Sequence, residues 1–190
     1  MNKKILLIII LFAFCLVNAQ RRNHTFFMND GNKVIYQNVK SKFNKPYYIV
    51  RKEDGTEFKI HYNEFYRYEY EIKKCGICKD YIKQAEEIVK LIDESYYLLP
   101  VTLDGKCKIY LGPKPNSFSG NSRYLYVKRD GEEYATMIGA NTTHRTNFKQ
   151  VALEYFSDCE MMKEKINKRF RKSGKRLYEV IEFYNEHCGN

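Results

Sequence analysis

The 190-residue chain has no tryptophan, four prolines and ten glycines, and it is short of acids, with 23 Asp and Glu against 33 Lys and Arg. So little proline and glycine excludes collagen-like and low-complexity architectures. The missing tryptophan costs little core volume, because 17 tyrosines and 12 phenylalanines are present. No Gly-x-Ser-x-Gly, His-Glu-x-x-His or phosphate-cradling glycine loop occurs. That removes the common hydrolase, metalloprotease and nucleotide-binding signatures, and no cofactor is expected. Beyond residue 19 no apolar run is long enough to span a bilayer.

What is present begins with a leader. Lys3 and Lys4 precede an uncharged apolar run from Ile5 to Val17, and Val17-Asn18-Ala19 stands ahead of Gln20. This pattern predicts a secretory signal peptide over residues 1–19 and a secreted or periplasmic protein. The apolar run is shorter than the ~20 residues of a spanning helix. Cleavage after Ala19 would remove Lys3 and Lys4 and no acid, so the mature chain stays strongly basic. An exported basic surface meets acidic glycans, membrane surfaces or acidic proteins rather than nucleic acid.

Export also implies an oxidising compartment. Beyond Cys15 of the leader there are five cysteines, Cys75, Cys78, Cys107, Cys159 and Cys188. An odd number cannot all pair within one chain. Cys75-Gly76-Ile77-Cys78 is the sharpest motif. Two cysteines at this spacing before a helix suit thiol–disulfide exchange, because a helix N-terminus lowers the pKa of the first thiol. The antiparallel surroundings suit a structural disulfide, or thiols paired elsewhere, better. Cys159 and Cys188 sit on successive helical segments and predict a bridge that locks the last helix. Cys107, in an expected strand, is then the unpaired thiol, with a bond to Cys75 or Cys78 as the rival. A zinc site needs a second tight ligand pair, and His187-Cys188 are adjacent, so no metal centre is expected.

Apolar alternation and turn signals predict an antiparallel β unit over residues 20–72, with hairpin turns at Asp30-Gly31 and Asp54-Gly55. These two turns have similar flanks and suggest a weak internal repeat. The second unit, residues 73–190, is read as α+β. Its main feature is a long helix from Cys78 to Leu99, on which Ile82, Ala85, Ile88, Val89, Ile92 and Tyr96 recur at helical spacing and which Pro100 ends. Hairpins come next around Asp104-Gly105 and Asp130-Gly131. Three helices close the chain, over Thr146–Phe156, to about Arg169, and after Gly174. The expected fold class is therefore α+β: a β meander, a long helix, further hairpins and a C-terminal helical bundle.

Lys165, Lys168, Arg169, Arg171, Lys172, Lys175 and Arg176 form an acid-free basic segment. It reads either as an anion-binding patch or as a solvated helix end whose charges suit the macrodipole. His24, His61, His144 and His187 are scattered. Glu132 and Glu133 are neighbours that point apart on a strand, a poor acid–base pair. Tyr66, Tyr68 and Tyr70 share a strand face and could stack on sugars or pack a core. The segments Phe156-Ser157-Asp158-Cys159 and Phe183-Tyr184-Asn185-Glu186-His187-Cys188 carry a resemblance, over about the last fifty residues, to small exported bacterial proteins of unassigned activity. That resemblance implies no catalytic residue. The expected function is a non-enzymatic binding or interaction module, with a thiol–disulfide oxidoreductase using Cys75 and Cys78 as the alternative.

Overall fold

The computed structural model describes residues 23–42, 45–73, 81–113, 124–140, 148–169 and 175–188. The front of the chain forms β1 (His24–Met28), β2 (Lys33–Tyr36), β3 (Asn38–Ser41), β4 (Tyr47–Arg51), β5 (Glu57–His61) and β6 (Phe65–Lys73). Then come β7 (Tyr81–Leu91), β8 (Tyr96–Leu103), β9 (Cys107–Gly112), β10 (Tyr124–Arg129) and β11 (Tyr134–Ala140). Three helices complete the chain, α1 (Phe148–Tyr155), α2 (Glu160–Arg169) and α3 (Lys175–His187).

The fold is mostly β, which corrects the α+β expectation. The predicted helix over Cys78–Leu99 is instead β7, a tight turn and the start of β8. Two physical facts account for the misreading. Strand β7 is covered on both faces: Glu87, Val89 and Leu91 are buried on one side, while Ile88 packs on the other. Apolar residues therefore stand next to each other, and Ile88-Val89 imitates a helical stripe. The β-branched content of the segment favours a strand. Pro100, expected to end a helix, sits inside β8 opposite Glu86. Strand β9 meets β8 only from Val101 onward, so a missing N–H there breaks no bond to β9.

The second fact is a hidden turn. At Asn29–Asn32, Gly31 N–H donates to Met28 O (3.1 Å) and Met28 N–H to Asn32 O (2.8 Å). The same pair of bonds forms from Gly55 to Lys52 and from Lys52 to Thr56. It forms again from Glu94 to Leu91 and from Leu91 to Ser95. In each turn an aspartate side chain (Asp30, Asp54 or Asp93) accepts the N–H two residues on. Gly31 (φ 87°), Gly55 (φ 85°) and Glu94 (φ 65°) hold the left-handed position. A glycine there announces the turn, whereas a glutamate disguises it. Only one residue per turn has positive φ, so these are not the two-residue type I′ turns that Asp-Gly suggests.

Strands β7 to β11 form an antiparallel run, and β11 returns to pair in parallel with β7 through Tyr134–Lys90 and Ala135–Leu91. The five strands thus close into a small barrel filled by Val89, Leu91, Leu99, Tyr110, Tyr126 and Ala135. Lys90 reinforces the closure, reaching Glu133 (2.6 Å), Glu94 (2.6 Å) and the Tyr134 hydroxyl (3.1 Å). The three helices cover the outer face of β9–β11, where Ile109, Leu125, Val127 and Ile138 meet Phe156, Met162 and Ile181. On the other side the sheet runs on from β7 through β6 and β1 to β2. A separate three-stranded sheet, β3-β4-β5, packs on that extension through an aromatic core around Phe26, Tyr48, Phe65 and Tyr68. The Cys159 and Cys188 sulfurs are at bonding distance, with Cα atoms 6.0 Å apart. Among the described residues no helix is long and apolar enough to cross a membrane.

Candidate functional site

Where the two sheets diverge they leave a cleft of about 700 Å³. Its position comes from local chain irregularities. The register of β1 on β6 jumps from Phe27–Arg67 to Met28–Phe65, leaving Tyr66 as an extra, bulged residue. A bulge re-aims the side chain it carries. Phe65 therefore drops into the core, 1% exposed, and Tyr66 turns outward, 50% exposed. Tyr96, the first residue of β8, is 67% exposed on the far wall. Ile88 and Leu98 line the cleft below it, and Pro46, His61 and Tyr62 line it from the small sheet.

The loop between β5 and β6 is tied down from several sides. Tyr62 N–H donates to Pro46 O (3.0 Å), Glu64 N–H to His61 O (3.0 Å) and Asn29 N–H to Glu64 O (3.0 Å). Asn29 Nδ2 donates to Asn63 O at 2.7 Å. The wall is thus preorganised, and these backbone groups are already engaged.

None of the ten residues lining the cleft is Asp, Glu, Lys or Arg, although 29% of the chain is charged. Apolar and aromatic faces make the floor. Neutral polar groups make the rim: the Asn63 amide, Asn29 Oδ1, and the hydroxyls of Tyr62, Tyr66 and Tyr96. Among the described residues these rim groups have no hydrogen-bond partner. An apolar surface with a few convergent polar groups is the composition of a small-ligand site.

A half-buried carboxylate, Glu86, is held by tyrosines of the neighbouring aromatic core. The Tyr48 hydroxyl on β4 donates to Glu86 on β7 at 2.8 Å, and the Tyr70 hydroxyl donates to it at 3.2 Å. The Tyr68 ring is tilted against Tyr48 at 4.6 Å and stacked on Tyr70 at 5.0 Å, and its hydroxyl meets His24 Nδ1 at 2.6 Å. Burial and then the Glu86 charge push the phenols of Tyr48 and Tyr68 upward and that of Tyr70 to about 12. Tyr62 is raised by the same two causes.

The residues singled out in the sequence scatter. Cys75 and Cys78 lie outside the described residues. The next described element after them is strand β7, so from Tyr81 onward the expected helix is replaced by strand. Cys107 is buried and unpaired, and burial pushes its thiol up to about 12, which keeps it protonated and inert. Of the basic segment, Lys165 Nζ rests 4.0 Å from the Phe183 ring centre, and Lys168 is paired with Glu164. Arg169 ends α2, Lys175 and Arg176 open α3, and Arg171 and Lys172 lie outside the described residues. Glu132 and Glu133 go separate ways, to the Tyr155 hydroxyl (2.5 Å) and to Lys90. His144 is outside the described residues, and His187 sits at the end of α3. Among the described residues no group of three His, Cys, Asp or Glu side chains could hold a metal ion.

Compared with known protein families, curated proteins and solved structures, the chain matches none. The site must therefore be read from its own geometry. Of the cleft residues only Tyr66 and His61 were marked by their chemistry in the sequence, His61 as one of four scattered histidines. Tyr96 was hidden in the supposed helix. Asn29 and Asn63 carried only a turn signal, because their role comes from a loop that brings together residues 34 positions apart.

Proposed function

We propose that this chain is a non-enzymatic binding module working outside the reducing cytosol, with the cleft between the two sheets as its ligand seat. The observation that carries this reading is the pair of half-exposed tyrosines, Tyr66 and Tyr96, over a preformed, charge-free floor. Exposed aromatics lining a pocket of ~300–1,000 Å³ are costly to leave wet and effective at holding a ligand. The leader, the Cys159–Cys188 pair and the basic surface support a secreted or periplasmic setting. Nucleophile, base and oxyanion donors do not converge in the cleft, and its only ionisable side chains are His61 and the tyrosines.

Titration with Nile red tests the seat. Wild type should enhance the dye's fluorescence, and the Tyr66→Ala/Tyr96→Ala double variant should lose the enhancement while keeping its circular dichroism spectrum. Equal enhancement in both proteins would show that the cleft is not the seat.

A further inference from the structure

We infer that the ligand class of this cleft is a neutral sugar, an inference that rests on the binding reading above. Three properties of the walls select it. First, the lining carries no formal charge in a chain where charge is abundant, and Lys90, whose Nζ lies 5.8 Å from the Tyr96 ring, is already paired with Glu94 and Glu133, so a carboxylate, phosphate or ammonium group would leave water for the cleft without a free counter-ion. The acidic glycans that suit the basic segment 165–176 do not suit this site.

Second, the walls pair flat apolar rings with unused neutral hydrogen-bonding groups. Tyr66 and Tyr96 present half-exposed rings, and the Asn63 amide and Asn29 Oδ1 stand at the rim without partners among the described residues. A neutral sugar has the matching surface: a C–H face that covers an aromatic ring and an edge of hydroxyls that donate and accept. A purely apolar ligand would bury these amides unsatisfied, at ~1–3 kcal/mol each.

Third, strand addition by a peptide is disfavoured. The N–H groups of Tyr62, Glu64 and Asn29 along the wall already donate to Pro46, His61 and Glu64 carbonyls. An extended peptide binds through such groups when they are free. Side-chain recognition is what remains.

The test is calorimetric titration of the exported chain with neutral hexasaccharides of glucose, mannose and N-acetylglucosamine, with hexagalacturonate as the charged counterpart and Nile red as the apolar probe. At least one neutral hexasaccharide should bind. Tyr66→Ala or Tyr96→Ala should weaken it at least tenfold, and Asn63→Ala should weaken it several-fold without weakening Nile red binding. Hexagalacturonate should not compete. If Nile red binds in a tyrosine-dependent way and every neutral sugar fails, the sugar class is overturned and the seat stands. If sugars bind but the tyrosine variants bind them equally, the inference is overturned at this site. If neither probe depends on the tyrosines, both readings fall.

Discussion

Asn185 on α3 completes the backbone of Cys107 on β9 from both sides. Its Oδ1 accepts the Cys107 N–H at 2.7 Å, and its Nδ2 donates to the Cys107 carbonyl at 3.0 Å. One side-chain amide thus does for β9 what a neighbouring strand would do, and fixes the last helix against the barrel. Gly105 makes the approach possible: a Cβ there would come within 2.4 Å of Asn185 Nδ2, and its φ is +150°. Asn185→Ala strands two backbone groups and should cost about 2–4 kcal/mol, read as a lower denaturant midpoint. Gly105→Ala should be similarly harmful. An unchanged midpoint in Asn185→Ala would remove this contact as a stabilising one.

Glu94 gives the sharpest test of the fold correction. In a helix interior, Glu94→Gly would cost about 1 kcal/mol. In the observed turn, with Glu94 at φ 65°, glycine relieves backbone strain and forfeits one ion pair to Lys90 and one hydrogen bond from the Tyr134 hydroxyl, made by a mostly exposed side chain. We expect Glu94→Gly to lose no more than ~0.5 kcal/mol, and Glu94→Val to lose ~1–2 kcal/mol from a β-branched residue in the left-handed region. Thermal or denaturant melts decide the order.

Arg67 forks to three carboxylates: Glu69 (2.9 Å), Glu87 (2.7 Å) and Asp104 (2.6 Å). Glu87 also takes the Tyr110 hydroxyl at 2.6 Å and Lys108 at 3.1 Å. Arg67→Met would leave nearly buried acids short of a cation and should cost about 3–5 kcal/mol. Arg67→Lys should recover only part, because an ammonium cannot reach all three acids in a fixed fork. Burial alone would raise the Glu69 and Asp104 carboxyls, but Lys83 and Arg67 at Glu69, and Arg67 at Asp104, outweigh it and hold both below the ordinary range. A lowered folded-state pKa gives stability that is present above the unfolded value and lost as pH falls. Wild-type stability should therefore drop below pH about 4, and less steeply in the Arg67→Met variant.

The alkaline limb carries the opposite sign. Burial and Glu86 raise Tyr70 from its ordinary value near 10 to about 12, and burial raises Tyr48 and Tyr110 as well. A raised folded-state pKa gives stability that is full below the unfolded value and lost as pH climbs. Denaturation free energies should fall from about pH 10 towards 12. Tyrosinate absorbance should then rise in a late step that coincides with loss of circular dichroism. Independent, early titration of every tyrosine would contradict the buried cluster.

Breaking the Cys159–Cys188 pair with Cys159→Ser should cost roughly 3–4 kcal/mol, from a crosslink 29 residues apart in the chain. In native wild type, Cys107 should resist iodoacetamide and become labelled only on unfolding, as mass mapping of the tryptic peptides would show. Ready native labelling of Cys107 would contradict its burial.

By itself the chain determined its local devices. Alternation and glycine turns marked the strands and hairpins of the front half and those around Gly105 and Gly131, and helical spacing marked the three closing helices. Cysteine parity and placement pointed to the Cys159–Cys188 pair and to Cys107 as the leftover thiol. Those features are legible because each depends on a residue's own conformation or on near neighbours. Tertiary structure alone decided that residues 81–99 are strand β7, a turn and the start of β8, since a segment covered on both faces loses the alternation that would identify it. It also decided the barrel, which one short parallel pairing at Lys90–Tyr134 closes. The cleft belongs to the same class: Tyr66 turns outward only because β1 shifts register, and it shares a cleft with Tyr96 only because two sheets part at that point.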